Sequence, residues 1–274
     1  MDVEAALAYA RKHQLEALLI ARGGKIVVQE YGSGFQAGSP HPLFSGTKSF
    51  WGVAASYAQR DGLLQLDDLV ADTIPAWRED PWKRRVTLRM LLSLTSGFGL
   101  GGLGRAVPPY PQALDTPLKN EPGTTFTYGG IPLQVFGAVL AHKLSPKTPH
   151  LYLHERVLEP AGVRVAFWRK LADGTQPLPT GASLTAEDWL TYGRFVLREH
   201  VALAECFKGS NANPRYGLGW WLRVPGAPDD VFYASGSGGQ GMYVVPSADV
   251  VAVHFGKSAS YKHDVLLKRL FSDG

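Results

Sequence analysis

Ser45-Gly46-Thr47-Lys48 places a hydroxyl and an amine three residues apart, at the predicted start of a helix over Thr47 to Arg60, so that both side chains project from one face. A serine hydroxyl is a weak nucleophile until its proton is removed. A lysine whose charged form is disfavoured by burial can take that proton without any histidine. The helix start also directs a backbone N–H toward a developing oxyanion. By itself the motif is weak: with 16 Ser and 12 Lys in 274 residues, about 0.7 such spacings arise by chance, and one is present. An ordinary capped helix with a solvated lysine is the plainer reading of this segment in isolation.

Other segments add to it. Glu121 to Gly130 leads into a predicted helix over Ile131 to Leu144 and sets Tyr128 at a loop-to-helix junction, where its phenol would point into a cleft. Tyr233-Ala234-Ser235-Gly236-Ser237-Gly238-Gly239-Gln240-Gly241 precedes a strand, and its small residues let a substrate approach the backbone closely. The loop Gly97 to Pro111 is too rich in Gly and Pro for regular structure and too apolar for a linker; it reads either as a wall or lid of a site or as a surface loop tucked onto the core. Gly-x-Gly-x-x-Gly spacings at Gly99 to Gly104 and Gly236 to Gly241 do not link a strand to a helix, so neither is a nucleotide site.

The elements that must hold these residues follow from periodicity. A helix is predicted over residues 2 to 14. Strands over Leu15 to Arg22 and Lys25 to Tyr31 flank the turn dipeptide Gly23-Gly24. Short β-rich runs recur at Gly219 to Val224, Val231 to Ala234, Met242 to Val245 and Val250 to Phe255, before a closing helix over Tyr261 to Phe271. Between lie helical stretches at Thr47 to Arg60, Thr87 to Leu94, Ile131 to Leu144, His150 to Leu158 and Ala186 to Arg198. Neither end has enough strands to close its own sheet, so one sheet built from both termini is expected. The expected organisation is a single unit over 1–274, with a sheet lobe from about 1–60 and 216–274 and a helical lobe from about 61–215.

Composition narrows the function classes. Hydrophobic residues make up 45% and charged residues 19%, which excludes collagenous, coiled-coil and disordered chains. A net charge of +4 is too small for the basic stripe that nucleic-acid binding needs. The cluster Arg78, Lys83, Arg84, Arg85 and Arg89 is most simply a solvated face. Cys206 is the only cysteine, which excludes an intrachain disulfide and a Cys-based zinc site. His150 and His154 are four apart, but Leu151 stands where a zincin needs Glu, so a surface pair is expected rather than a metal site. No Gly-x-Ser-x-Gly exists, which argues against an α/β-hydrolase. The chain shows no secretory signal and no membrane span, so as given it is expected to be cytoplasmic; a leader removed beforehand would leave no trace in it.

Taken in order, these segments resemble the serine β-lactamase and penicillin-binding-protein superfamily, in particular the branch of class C β-lactamases, family VIII carboxylesterases and 6-aminohexanoate-dimer hydrolases. The resemblance covers Leu18 to Gly32, Phe44 to Phe50, Val86 to Gly97, Pro122 to Tyr128, Ser183 to Leu197, Tyr216 to Trp220 and the Gly-rich entry to the strand at Met242. It implies an α/β (α+β) fold: an antiparallel sheet from both chain ends, flanked by helices, with an inserted, mainly helical lobe. Carried over by residue, it implies Ser45 as acylated nucleophile, Lys48 as its proton acceptor and Tyr128 as the exchanger of protons with the leaving group. Ser237 would donate the second oxyanion N–H, the first coming from Ser45. Gly236, Gly238 and Gly130 are expected to border the substrate, and Trp220 is taken from Trp51, Trp220 and Trp221 as an apolar wall.

Two positions depart from the family pattern. Tyr-x-Asn reads Tyr128-Gly129-Gly130, which removes an amide, and Lys-Thr-Gly or its histidine variant reads Ala234-Ser235-Gly236, which removes a cation. The expected function is a serine hydrolase acting through a covalent acyl-enzyme on small esters or amides, weak on β-lactams. No cofactor or metal is implied, the partner is a small molecule, and the oligomeric state is left open. The departures keep two rivals in view: a catalytically impaired relative that binds a ligand in the same cleft, and a hydrolase of D-amino peptides or β-lactams.

Overall fold

The computed structural model describes residues 1–272. A six-stranded antiparallel sheet has the order β2-β1-β9-β8-β7-β6, built from β1 (Leu15–Arg22), β2 (Lys25–Tyr31), β6 (Trp221–Leu222), β7 (Phe232–Gly236), β8 (Gln240–Val245) and β9 (Val250–Gly256). Strands from the two chain ends meet where β1 pairs with β9. Both are buried nearly throughout, because each face of the sheet is covered. One face carries the terminal helices α1 (Val3–Lys12) and α9 (His263–Phe271), which bury Leu7, Leu266, Leu267 and Leu270. Asp2 caps the first of them by accepting from the Ala5 N–H, at 2.9 Å.

The other face packs on α8 (Ala186–Glu199), which in turn meets the central α2 (Ser49–Arg60) through Tyr192 and Phe50. Gly193 lets α8 lie against the sheet, since a Cβ there would come within 2.5 Å of Val251. This helix, expected among the helical elements, therefore supports the sheet directly. On the far side of α2 stand α3 (Val70–Thr73), α4 (Leu88–Leu92), α5 (Tyr110–Asp115), α6 (Ile131–Leu144) and α7 (Pro149–Leu153). Of these α6 is apolar almost all round and buries Leu133, Val135, Phe136, Val139 and Leu140, as the middle of a helical core requires.

Most strands and helices of the sequence reading recur within a few residues, but His150 to Leu158 splits after Leu153 into an α-helix and a wider turn, and the short α3 and α5 are additional. Thr47 to Arg60 does not begin as an α-helix: Phe44–Lys48 is a tight 3-10 turn that feeds α2. Gly219 to Val224 keeps only the two-residue β6. A second small sheet of order β3-β5-β4 was not legible in the sequence, because β3 (His41–Pro42), β4 (Phe167–Trp168) and β5 (Ala182–Leu184) are too short to show alternation. That sheet delivers the chain to Ser45. It is anchored by buried Glu16, whose carboxylate meets His41 Nε2 at 2.8 Å and Lys257 Nζ at 2.6 Å, tying β3 to the ends of β1 and β9.

Candidate active site

The Ser45 turn is held on all sides. Phe44, just before the serine, has φ +47°, a strained conformation for a residue with a side chain. The Tyr192 hydroxyl donates to the Ser49 carbonyl at 3.1 Å, and Trp51 Nε1 donates to the Leu178 carbonyl at 2.6 Å, fixing the start of α2. Gly52 and Gly219 admit a backbone crossing over the same turn; a Cβ at Gly219 would lie 2.4 Å from the Lys48 carbonyl oxygen.

Within this frame Lys48 is 1% exposed and its Nζ donates to Ser45 Oγ at 2.8 Å and to the Pro179 carbonyl at 3.2 Å. Burial disfavours the ammonium and lowers the lysine pKa from 10.5 to about 7. Among the described residues no carboxylate pairs with it; only the two hydrogen bonds and the Tyr128 ring face, 4.9 Å from Nζ, offset the desolvation. Burial also raises the Tyr128 pKa, while the adjacent Ser45 hydroxyl lowers it in part. Ser45 and Lys48, read from one segment, and Tyr128, read from another, thus meet at one point.

Ser237 arrives from β7. The preceding Gly236 passes so near the Ser45 turn that a Cβ would lie 2.1 Å from the Leu43 carbonyl oxygen. Ser237, Gly238 and Gly239 form the β7–β8 turn, with φ of +81° and +93° at the two glycines. Buried Gln240 ties this turn down: its amide donates to the Ser237 carbonyl at 3.0 Å and to the Gly256 carbonyl at 2.7 Å, and its carbonyl accepts from the Gly256 N–H. His254 is 2.6 Å from the Gly239 carbonyl through Nδ1 and adds a second tie.

The departures from the family pattern have structural counterparts. Gly130 is covered by the Gly-rich loop: its N–H donates to the Gly101 carbonyl at 2.9 Å, and a Cβ would lie 1.8 Å from the Gly102 oxygen. An Asn cannot stand there, and the loop is a wall beside the site. The lysine's second partner is instead the Pro179 carbonyl. Ala234 is buried in the core, and its neighbour Ser235 meets His263 Nε2 at 2.8 Å. The other ring nitrogen meets the Tyr243 hydroxyl at 2.7 Å, and burial pushes the His263 pKa down to about 3. Neither Ala234 nor a neutral His263 supplies a positive charge to the cleft.

Trp220 is a correction. It is 0% exposed and packs among Tyr192, Phe207 and Phe232, so it borders no substrate. Trp220 lies just before β6, and it is Trp221, the first residue of the strand, that is stacked on Tyr128 with centroids 5.7 Å apart. His150 is not on the surface either: it is wedged between Trp51 and Trp168, and burial lowers its pKa to about 4. In the basic cluster, Arg89 pairs with Asp67 and Glu205, Arg85 pairs with Glu121, and buried Lys83 donates to the Leu114 carbonyl. Pro179, Gln240 and His263 escaped sequence reading. The first acts through its backbone, and the others act through partners distant in the chain.

Among solved structures, the fold is similar to EstCE1, a hydrolase with promiscuous acyltransferase activity, with TM-score 0.78 and 18% identity over 97% of this chain and 96% of that one. It is similar to a class C β-lactamase from Rhodobacter sphaeroides, with TM-score 0.74 and 19% identity over 98% and 97% of the two chains. A D-stereospecific amidohydrolase from Streptomyces sp. gives TM-score 0.77 and 15% identity over 99% and 98%. A search of curated protein sequences finds no match. The β-lactamase family model matches residues 12–268, and with the β-lactamase/transpeptidase-like fold around Ser45 and Lys48 the chain belongs to the β-lactamase family.

Proposed function

We propose that the protein is a serine hydrolase that cleaves small esters or amides through a covalent Ser45 acyl-enzyme. The observation that carries this reading is the 2.8 Å contact between Ser45 Oγ and a buried Lys48 whose pKa is lowered to about 7. A neutral amine at that distance accepts the serine proton as Oγ attacks the carbonyl carbon. The backbone N–H groups of Ser45 and Ser237 stabilise the oxyanion, an arrangement supported by the approach of Gly236 to Leu43. Tyr128 passes a proton to the leaving group on collapse, and a water activated by the same pair releases the acyl group.

The structural neighbours include a hydrolase with promiscuous acyltransferase activity and a D-stereospecific amidohydrolase, which fits this reaction class. Ala234 and the neutral His263 leave the usual carboxylate-binding strand without charge, which favours simple esters over β-lactams. A fluorophosphonate probe tests the core of the proposal. Labelling of the wild type that is lost in Ser45→Ala is the expected result; equal labelling of both, with intact circular dichroism, refutes it.

A further inference from the structure

A cavity of about 250 Å³, lined by Phe44 next to the nucleophile in the chain, has no part in the proton transfers above. Its walls include Phe44, Phe167, Gly104 and Thr180, with Arg105 and Arg169 as its cations. Two of its lining residues are chain neighbours of the site: Phe44 precedes Ser45, and Thr180 follows Pro179, the carbonyl partner of Lys48. Phe167 is 61% and Phe44 40% exposed, so both offer open apolar surface at the cavity they line. The volume matches roughly eight water molecules of liquid, enough for a short acyl chain.

The position of the cavity assigns it to one half of the substrate. Proton delivery by Tyr128 places the leaving group along the aromatic wall of Tyr128, Trp221 and Tyr233. None of those residues lines the cavity, which leaves it to the acyl half. Its charge is one-sided. Among the described residues neither Arg105 nor Arg169 has a carboxylate partner, and no acidic side chain lines the cavity. Arg169 donates to the Gly104 carbonyl at 2.8 Å, holding its guanidinium at the rim beside Arg105. Two guanidinium groups lining an otherwise mostly apolar slot, that of Arg169 held by the Gly104 carbonyl, match a carbon chain that ends in a carboxylate.

We propose that this cavity is the acyl subsite and that Arg105 and Arg169 select acyl groups with a distal carboxylate, such as half-esters or half-amides of short dicarboxylic acids. The assignment rests on the serine-hydrolase reading, with Ser45 attacking the near carbonyl carbon, the alcohol or amine leaving with a proton, and water releasing the free diacid. It also supplies from the acyl side the anion recognition that the β7 strand lacks.

The test compares monomethyl adipate with methyl heptanoate by pH-stat, and the wild type with Arg105→Gln/Arg169→Gln and Arg105→Lys/Arg169→Lys. A kcat/KM preference for the anionic ester of about tenfold or more is expected. The ratio should fall toward one with glutamine and be kept in part with lysine. A ratio near one in the wild type, or one unchanged by both glutamines, overturns the subsite. Calorimetric binding of the same two compounds to Ser45→Ala separates this result from the underlying reaction. Tighter binding of monomethyl adipate, lost on adding the glutamines, upholds the subsite even with no turnover of either ester, whereas equal binding overturns it. Failure of fluorophosphonate labelling counts against the hydrolase reading alone.

Discussion

Replacing Lys48 with methionine should remove activity and alter how stability depends on pH. Methionine has a similar length and no charge, so the buried volume is kept. The lysine pKa is about 7 in the folded protein against 10.5 for the free side chain. At about 1.4 kcal/mol per unit, the buried ammonium costs on the order of 5 kcal/mol. Below the folded value both states are protonated and the cost is present in full. As pH rises from about 7 toward 10.5, the unfolded chain binds the extra proton, and the cost is progressively relieved. Wild-type stability should therefore gain about 3 kcal/mol from this one group between pH 6 and 9.5, and Lys48→Met should lack that gain.

Urea unfolding of both proteins across this range measures the difference, from which all other titrating groups cancel. The hydrogen bonds that methionine cannot make shift the curves by a constant and leave the slope unaffected. Independently, wild-type kcat/KM should rise with pH through about 7 and level off, as the amine becomes free to accept the serine proton. Stability curves that stay parallel to within about 1 kcal/mol would refute the neutral-lysine argument.

Tyr128→Phe should lower kcat by about ten- to a hundredfold, less than the roughly thousandfold or greater loss in Ser45→Ala, because water replaces part of a proton relay; an unchanged rate removes the phenol from the reaction. Gln240→Ala leaves the Gly256 N–H unpaired and frees the Ser237 carbonyl, so unfolding should show a loss of about 1–3 kcal/mol and kinetics a fall in kcat. Gly130→Asn, which would restore the family residue, should destabilise by about 2 kcal/mol or more and not raise β-lactam hydrolysis, since its Cβ meets the Gly102 oxygen at 1.8 Å. Short p-nitrophenyl esters should exceed nitrocefin in kcat/KM by about ten- to a hundredfold, and the reverse order would show that a cation reaches the β-lactam carboxylate.

The sequence by itself determined the parts of this protein that depend on local pattern. Leu15 to Arg22, the Gly23-Gly24 turn and Lys25 to Tyr31 form the hairpin their apolar runs specify. Ser45 and Lys48 lie three residues apart in a helical turn, so their contact follows from spacing alone. Tertiary structure decided what depends on burial and on partners far away in the chain. The Lys48 pKa falls only because the fold buries it, with the Pro179 segment and the Tyr128 ring, 131 and 80 positions distant, packed against it. Trp220 and Trp221 are identical in type and adjacent, and only the chain path into β6 sends one into the core and stacks the other on Tyr128. Arg105 and Arg169 come from separate loops with no periodicity to read, and become a pair through the chain path around β4 and the glycine-rich wall. Covalent spacing fixes neighbours within a turn, whereas desolvation and charge pairing belong to the packed fold.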